Sequence, residues 1–354
     1  CGTGMNCPSM STLASLASGS AALGDQFVPR VLEAFYSTPE QPMEVYRCVD
    51  GEKCPGGVPG TCTGGLQGVA CTDCAPGMTF NGQECEECGP LRVVGWVVAV
   101  VALFAGLVAA YYVLTSQATA KASVLFTTTC AFGMVLAMLQ SVGIIGMMTV
   151  DFPIQLKGVL SFLQIFVLDI DEFAFTCVAG NNAALRYTFA ALFFPAGVLW
   201  LTFAFFVSKL LPEKHRWDAA KVCSTIGQFC QVGFSTMSTI ALKPAMCFSH
   251  PNGVTSVLKQ PSVTCGTAEH TTMTIIGVLL LALGVLGFLS VCSYAAIMVP
   301  AWSNRGEHFK VKCFRFLVFR FRLDSWWYGV PLLTRGPLLS LPIALATDYP
   351  PVQV

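Results

Sequence analysis

Apolar residues gather along this chain in long runs, not in the short alternations of a soluble domain. Runs almost free of charge recur at about 93–114, 122–149, 187–208, 222–242, 272–299 and 326–347. Each has the roughly 20 residues that a helix needs to cross about 30 Å of hydrocarbon. The pattern predicts an all-α polytopic membrane bundle with six spans over residues 91–354. Residues 1–90 lack such runs and read as a small, disulfide-rich, loop-rich ectodomain. Its patterning is weak, with only a helix from Phe27 to Tyr36 suggested.

The runs differ in what they carry. The first has Ala102, Gly106 and Ala110 at a spacing that lets another helix approach closely. The fourth is rich in polar residues, among them Gln228, Gln231, Ser235, Thr236 and Ser238. Such groups are wasted against lipid, so this span faces the bundle interior or water. Two readings stay open: a helix packed by hydroxyl-to-carbonyl bonds, and the wall of a solvated pathway. The sixth carries Arg335 between Pro331, Pro337 and Pro342. An intramembrane Arg needs a partner or water, and the prolines predict a kinked helix. A structural ion pair, snorkelling, a gating charge, an ion-pathway residue or a ligand counter-ion all fit.

Charge in the connections predicts orientation. One set of alternate loops carries Lys121, then Lys209, Lys214, Arg216 and Lys221, then Arg305, Lys310, Lys312, Arg315, Arg320 and Arg322. The other carries Lys157, Lys243 and Lys259, with Arg92 and Arg186 at span edges. The positive-inside rule makes the first set cytoplasmic and the amino terminus extracytoplasmic, at the cell surface or in an organelle lumen. Cys177, Cys247 and Cys265 fall on that same outer side, where disulfides persist. Residues 152–173 read as an interfacial helix ending at Asp169, Asp171 and Glu172. These carboxylates have the oxygen chemistry of a calcium site, but their spacing matches no EF-hand loop, and a solvated acidic turn is the better reading. The stretch KVKCFRFLVFRFR from Lys310, ahead of Trp326 and Trp327, reads as a membrane-surface segment.

Composition narrows the class. The chain is 54% hydrophobic and 11% charged, against roughly 25% charged in soluble domains. Its 20 basic residues balance 20 acidic ones, so no net field draws nucleic acid. Disorder and an ordinary cytosolic enzyme are excluded on the same grounds. No HExxH, nucleophile elbow or phosphate-cradling glycine loop is present, and the four histidines fall in predicted loops. No enzyme, cofactor or metal is expected. The partners expected are the lipid bilayer and other membrane proteins or further copies of the chain.

Nine of the 17 cysteines lie in the first 90 residues: Cys1, Cys7, Cys48, Cys54, Cys62, Cys71, Cys74, Cys85 and Cys88. This density predicts a disulfide scaffold. The candidates are Cys54, Cys62, Cys71, Cys74, Cys85 and Cys88, with Cys177, Cys247 and Cys265 in the loops. The two CxxC pairs also fit four thiolates around zinc, but turn-like spacing and the oxidising side favour disulfides. Connectivity is not deducible from sequence; an interleaved Cys71–Cys85 and Cys74–Cys88 pairing is the expectation. The odd count and the initial Cys favour a piece of a longer chain.

The run from Cys54 to Gly89, with CTDCAPG and CEECG, resembles the ephrin-receptor-like cysteine-rich module, a cousin of tumour-necrosis-factor-receptor and EGF-like modules. The whole chain resembles large protist surface proteins of the dinoflagellate and alveolate type, on SFLQIFVLDIDEF…TC, PNGVTSVLKQPSVTC and FRFLVFRFRLDSWWYGVPLLTRGPLLSL. Their bundle is similar to transient-receptor-potential and polycystin-like membrane domains. The resemblance implies a receptor- or channel-like protein for signal sensing or ion transport. The alternative from another class is a structural or accessory subunit of a larger membrane assembly. A water-filled cavity around the fourth span and Arg335 favours the first; tight packing there favours the second.

Overall fold

A computed structural model of the chain describes residues 2–7, 29–80, 84–115, 123–148, 153–164, 177, 180, 182–318, 321 and 325–345. The cysteine-rich part is built of antiparallel pairs. These are β1 (Met5–Asn6) with β2 (Arg30–Val31), β3 (Phe35–Ser37) with β4 (Val45–Arg47), and β5 (Met78–Phe80) with β6 (Cys85–Glu87). The helix expected over 27–36 is replaced by β2 and β3. Ala34 takes a left-handed φ of 66°, which interrupts any helix, and cross-strand pairing takes its place. So short a module cannot bury much, and disulfides carry its core. Tyr36, Leu66 and Ala70 close around Cys48, Cys54, Cys71 and Cys74.

Nine helices of the membrane part position the site. They are α1 (Pro90–Thr115), α2 (Ser123–Ile145), α3 (Ile154–Gln164), α4 (Ala183–Ser208), α5 (Ala219–Val232), α6 (Phe234–Leu242), α7 (Ala268–Leu279), α8 (Gly287–Asn304) and α9 (Gly329–Leu345). A π-helical segment, Leu280–Leu286, joins α7 to α8. Between α6 and α7 lies a three-stranded sheet of β7 (Cys247–Ser249), β8 (Thr255–Val257) and β9 (Gln260–Thr264) in sequential antiparallel order. The chain is a membrane protein, and this is visible in three helices long and apolar enough to cross: Val93–Leu114, Ala183–Ser208 and Ala268–Asn304.

Among the described residues three helices, rather than the expected six, meet both length and apolarity. The second expected span forms the 23-residue α2, long enough to cross, with a described apolar stretch over Gly133–Ile145. The fourth breaks at Gly233 into segments of 14 and 9 residues. The sixth yields the 17-residue α9, helical through Pro337 and Pro342. In the fourth and sixth, length is lost to a break or a short helix, which a hydropathy window does not register.

Burial follows position. The hydrophobic window of α1 has no fully buried residue, yet one side of the helix packs on its neighbours, where Val108 and the buried Tyr111 meet Trp217. By contrast α6 buries seven of its residues, Phe234, Thr236, Met237, Ser238, Thr239, Ile240 and Ala241. It is the axis of the main core, where Phe234, Met237 and Ile240 meet Tyr187, Phe194, Met273 and Leu333. Two of its hydroxyls are settled locally: Ser238 donates to the Phe234 carbonyl (2.8 Å) and Thr239 to that of Ser235 (3.1 Å). Thr239 also meets Ser340 of α9 at 3.0 Å.

The break at Gly233 is a packing requirement. A Cβ built there lies 1.8 Å from Cε1 of Phe194, which fills the notch beside the kink. Gly233→Ala should therefore cost about 1–3 kcal/mol of overpacking and lower the unfolding temperature in detergent. Gly106→Ala, where a Cβ meets nothing within 4 Å, should leave that temperature unchanged.

Candidate functional site

Two features stand out: a seam fastening the cysteine-rich module to the bundle, and a polar cavity inside it. The seam begins with covalent bonds. Among the described residues disulfides join Cys48–Cys54, Cys62–Cys71, Cys74–Cys85, Cys88–Cys177 and Cys247–Cys265. This replaces the interleaved Cys71–Cys85 and Cys74–Cys88 pairing. The β5–β6 hairpin, with Phe80 opposite Cys85, brings Cys85 back beside Cys74. Cys88, just past that hairpin, is left to reach Cys177 near the start of α4.

Two polar contacts flank that bond. The Arg186 guanidinium of α4 lies 3.9 Å from the Asp73 carboxylate, both largely buried. Burial pushes the Asp73 carboxyl above the usual carboxylate range, and Arg186 pulls part of the way back. On the other side His250, 4% exposed, sits at the seam between β4 and β8. Its Nδ1 accepts the Arg47 backbone N–H at 3.0 Å, so Nε2 carries the proton and donates to Ser256 Oγ at 2.7 Å. Tyr46 and Phe248 pack edge-on against the ring at 5.2 and 4.5 Å. A second histidine, His270, lies beside Cys247 and Cys265, but those sulfurs are joined to each other and offer no thiolate to a metal.

The cavity, about 50 Å³, lies between α2, α5, α6 and α9. By volume it has room for a few waters. Gln140, Gln228, Gln231, Ser235 and Arg335 line it, with Ala137 in the wall. Arg335 Nη2 donates to the Ala137 carbonyl. Gln140 Nε2 donates 3.1 Å to the Val232 carbonyl, the last of α5, which the break leaves without an ordinary helical partner. The floor is tight: a Cβ at Gly336 would lie 2.4 Å from Ser235 Oγ, so α9 and α6 meet there almost backbone to backbone. The Gln231 Oε1 is buried with no hydrogen-bond partner.

Of the residues singled out from sequence, Arg335, Gln228, Gln231 and Ser235 thus come together in one place. Thr236 does not; it is buried elsewhere on α6, with its hydroxyl unpartnered. Asp169, Asp171 and Glu172 lie outside the described residues. Sequence reasoning missed Gln140, although a lone carboxamide in an apolar run is the same signal that marked the fourth span. It also missed Asp73, Arg186 and His250, whose roles arise from contacts across 113 and 203 residues that no local pattern encodes. Compared with known protein families, curated proteins and solved structures, the chain matches none.

The seam yields a pH prediction. Asp73 binds its proton more tightly in the folded protein than in the unfolded chain, so its ionisation weakens the fold as pH rises. Asp73→Asn removes that dependence. The variant-minus-wild-type difference in unfolding temperature should move in the variant's favour between about pH 4 and pH 7. A difference that stays flat, or moves the other way, contradicts the burial argument.

Proposed function

We propose that the protein is a receptor- or channel-like membrane protein, with its cysteine-rich module on the extracytoplasmic side and a functional polar site inside the bundle. The observation that carries the reading is the cavity, which gathers Arg335 and the polar residues of the broken α5–α6 pair. A structural role would pack these groups against a carboxylate or each other. Among the described residues no carboxylate pairs with Arg335, and the space beside it is open.

Sidedness is supported by the covalent map. The bond between Cys88, ahead of α1, and Cys177, ahead of α4, holds both on one side. If α1 crosses the membrane, the chain between them must return, and α2 is the segment available. The β7–β9 sheet, touching the module through His250, belongs to that side too. The opposite connections hold the Lys and Arg cluster, including Lys209, Lys214, Arg216 and Lys310, which the positive-inside rule assigns to the cytoplasm. Coupling has a direct route, since the sheet under the module continues the chain from α6, which lines the cavity. An ephrin-receptor-like identity for the module belongs to this same reading.

Reconstitution in liposomes tests it. Wild-type protein should carry ion flux, and replacing Arg335, Gln228 and Gln231 together by Leu should reduce that flux at least about tenfold, as loss of buried polar partners does. Flux unchanged by the triple replacement contradicts the reading. A second reading, an accessory subunit, is favoured by α1, where Ala102 and Gly106 stand exposed and a Cβ at Gly106 meets nothing. That reading expects a larger complex in native-membrane extracts and no flux from the chain alone.

A further inference from the structure

We infer that the cavity between α2, α5, α6 and α9 is a binding site for a small monovalent inorganic anion of halide or nitrate size, centred on Arg335. The inference rests on the functional reading of the cavity and names its ligand class. Charge is the first argument. No Asp or Glu occurs in 93–150, 183–212, 219–268, 270–306 or 325–347, so the helical segments around Arg335 supply no counter-charge. The Ala137 carbonyl takes one bond from a guanidinium that has five N–H donors and is charged at every accessible pH. An unneutralised charge among apolar helices is costly, and an anion in the adjoining space offsets that cost.

The lining is the second argument. Ser235 contributes a hydroxyl, and Gln228 and Gln231 contribute carboxamides. The backbone is the third. The chain breaks at Gly233, and the first residues of α6, Phe234 and Ser235, line the cavity. No side chain caps that helix end, and its positive dipole end lies at the cavity. Half-helices aimed at anions in just this way occur in membrane transporters. Size is the fourth: about 50 Å³ admits a compact ion, whereas organic ligands take several hundred.

The test uses the purified full chain in detergent at constant ionic strength, with sodium bromide or nitrate exchanged for sodium gluconate. Wild-type protein should show a saturable rise in unfolding temperature of about 3 °C with bromide or nitrate and none with gluconate. Arg335→Gln should lose the saturable rise, and Arg335→Lys should keep a weakened one because the charge remains. Should Arg335→Gln fail to fold, the discrimination between bromide and gluconate by the wild type and its weakening in Arg335→Lys decide the matter. No bromide-specific rise in the wild type, or an equal rise in Arg335→Gln, overturns the inference. These outcomes separate from the functional reading. Flux that depends on the cavity residues without anion-specific stabilisation overturns the anion assignment alone, and stabilisation lost in Arg335→Gln supports it whether or not flux is seen.

Discussion

Eighty-nine residues separate Cys88 from Cys177, and the bond between them ties the foot of the cysteine-rich module to the entrance of α4. In the chain-entropy account, closing a loop of that length stabilises the fold by about 4–5 kcal/mol. More important here is its geometric effect. With that end fixed, the Asp73–Arg186 pair and the His250 contact become short-range interactions, and each orders groups already held close. Without the bond, the module would hang from a single peptide link ahead of α1. The β5–β6 hairpin is what frees Cys88 for this partner, because it consumes Cys85 on Cys74.

A second constraint acts inside the bundle. Gly233 divides one apolar stretch into α5 and α6, and the division has consequences on both faces. Phe194 enters the notch on one side. On the other, Gln140 reaches across from α2 to the carbonyl that the break exposes, and the end of α6 opens onto the cavity. Ser235 is thus held against Gly336, Arg335 on the Ala137 carbonyl and Gln140 on that of Val232. Such preorganisation is what a recognition site needs, since residues already fixed lose little freedom when a ligand arrives.

Much of this was legible in the chain. The polar excess of the 222–242 run and the lone Arg335 each called for an interior environment, and both line the same cavity. What sequence could not supply was the break at Gly233, since glycine is common in membrane helices and only Phe194 gives it meaning. The fourth span was miscounted for that reason: hydropathy sums over a kink as if the helix were straight. The disulfide pattern failed because the nearest cysteines in sequence are joined by turns whose geometry is set by hairpin register. Histidine 250 was read as a loop residue and lies in a connection, but its two nitrogens are used by groups from distant segments.

The most direct test is peptide mapping of the native protein, alkylated and digested without reduction. A linked pair joining the Cys88 peptide to the Cys177 peptide, with Cys74 on Cys85, is the result predicted. A Cys74–Cys88 link, leaving Cys177 free or bonded elsewhere, would contradict the account, because no disulfide would then fasten the module to the bundle.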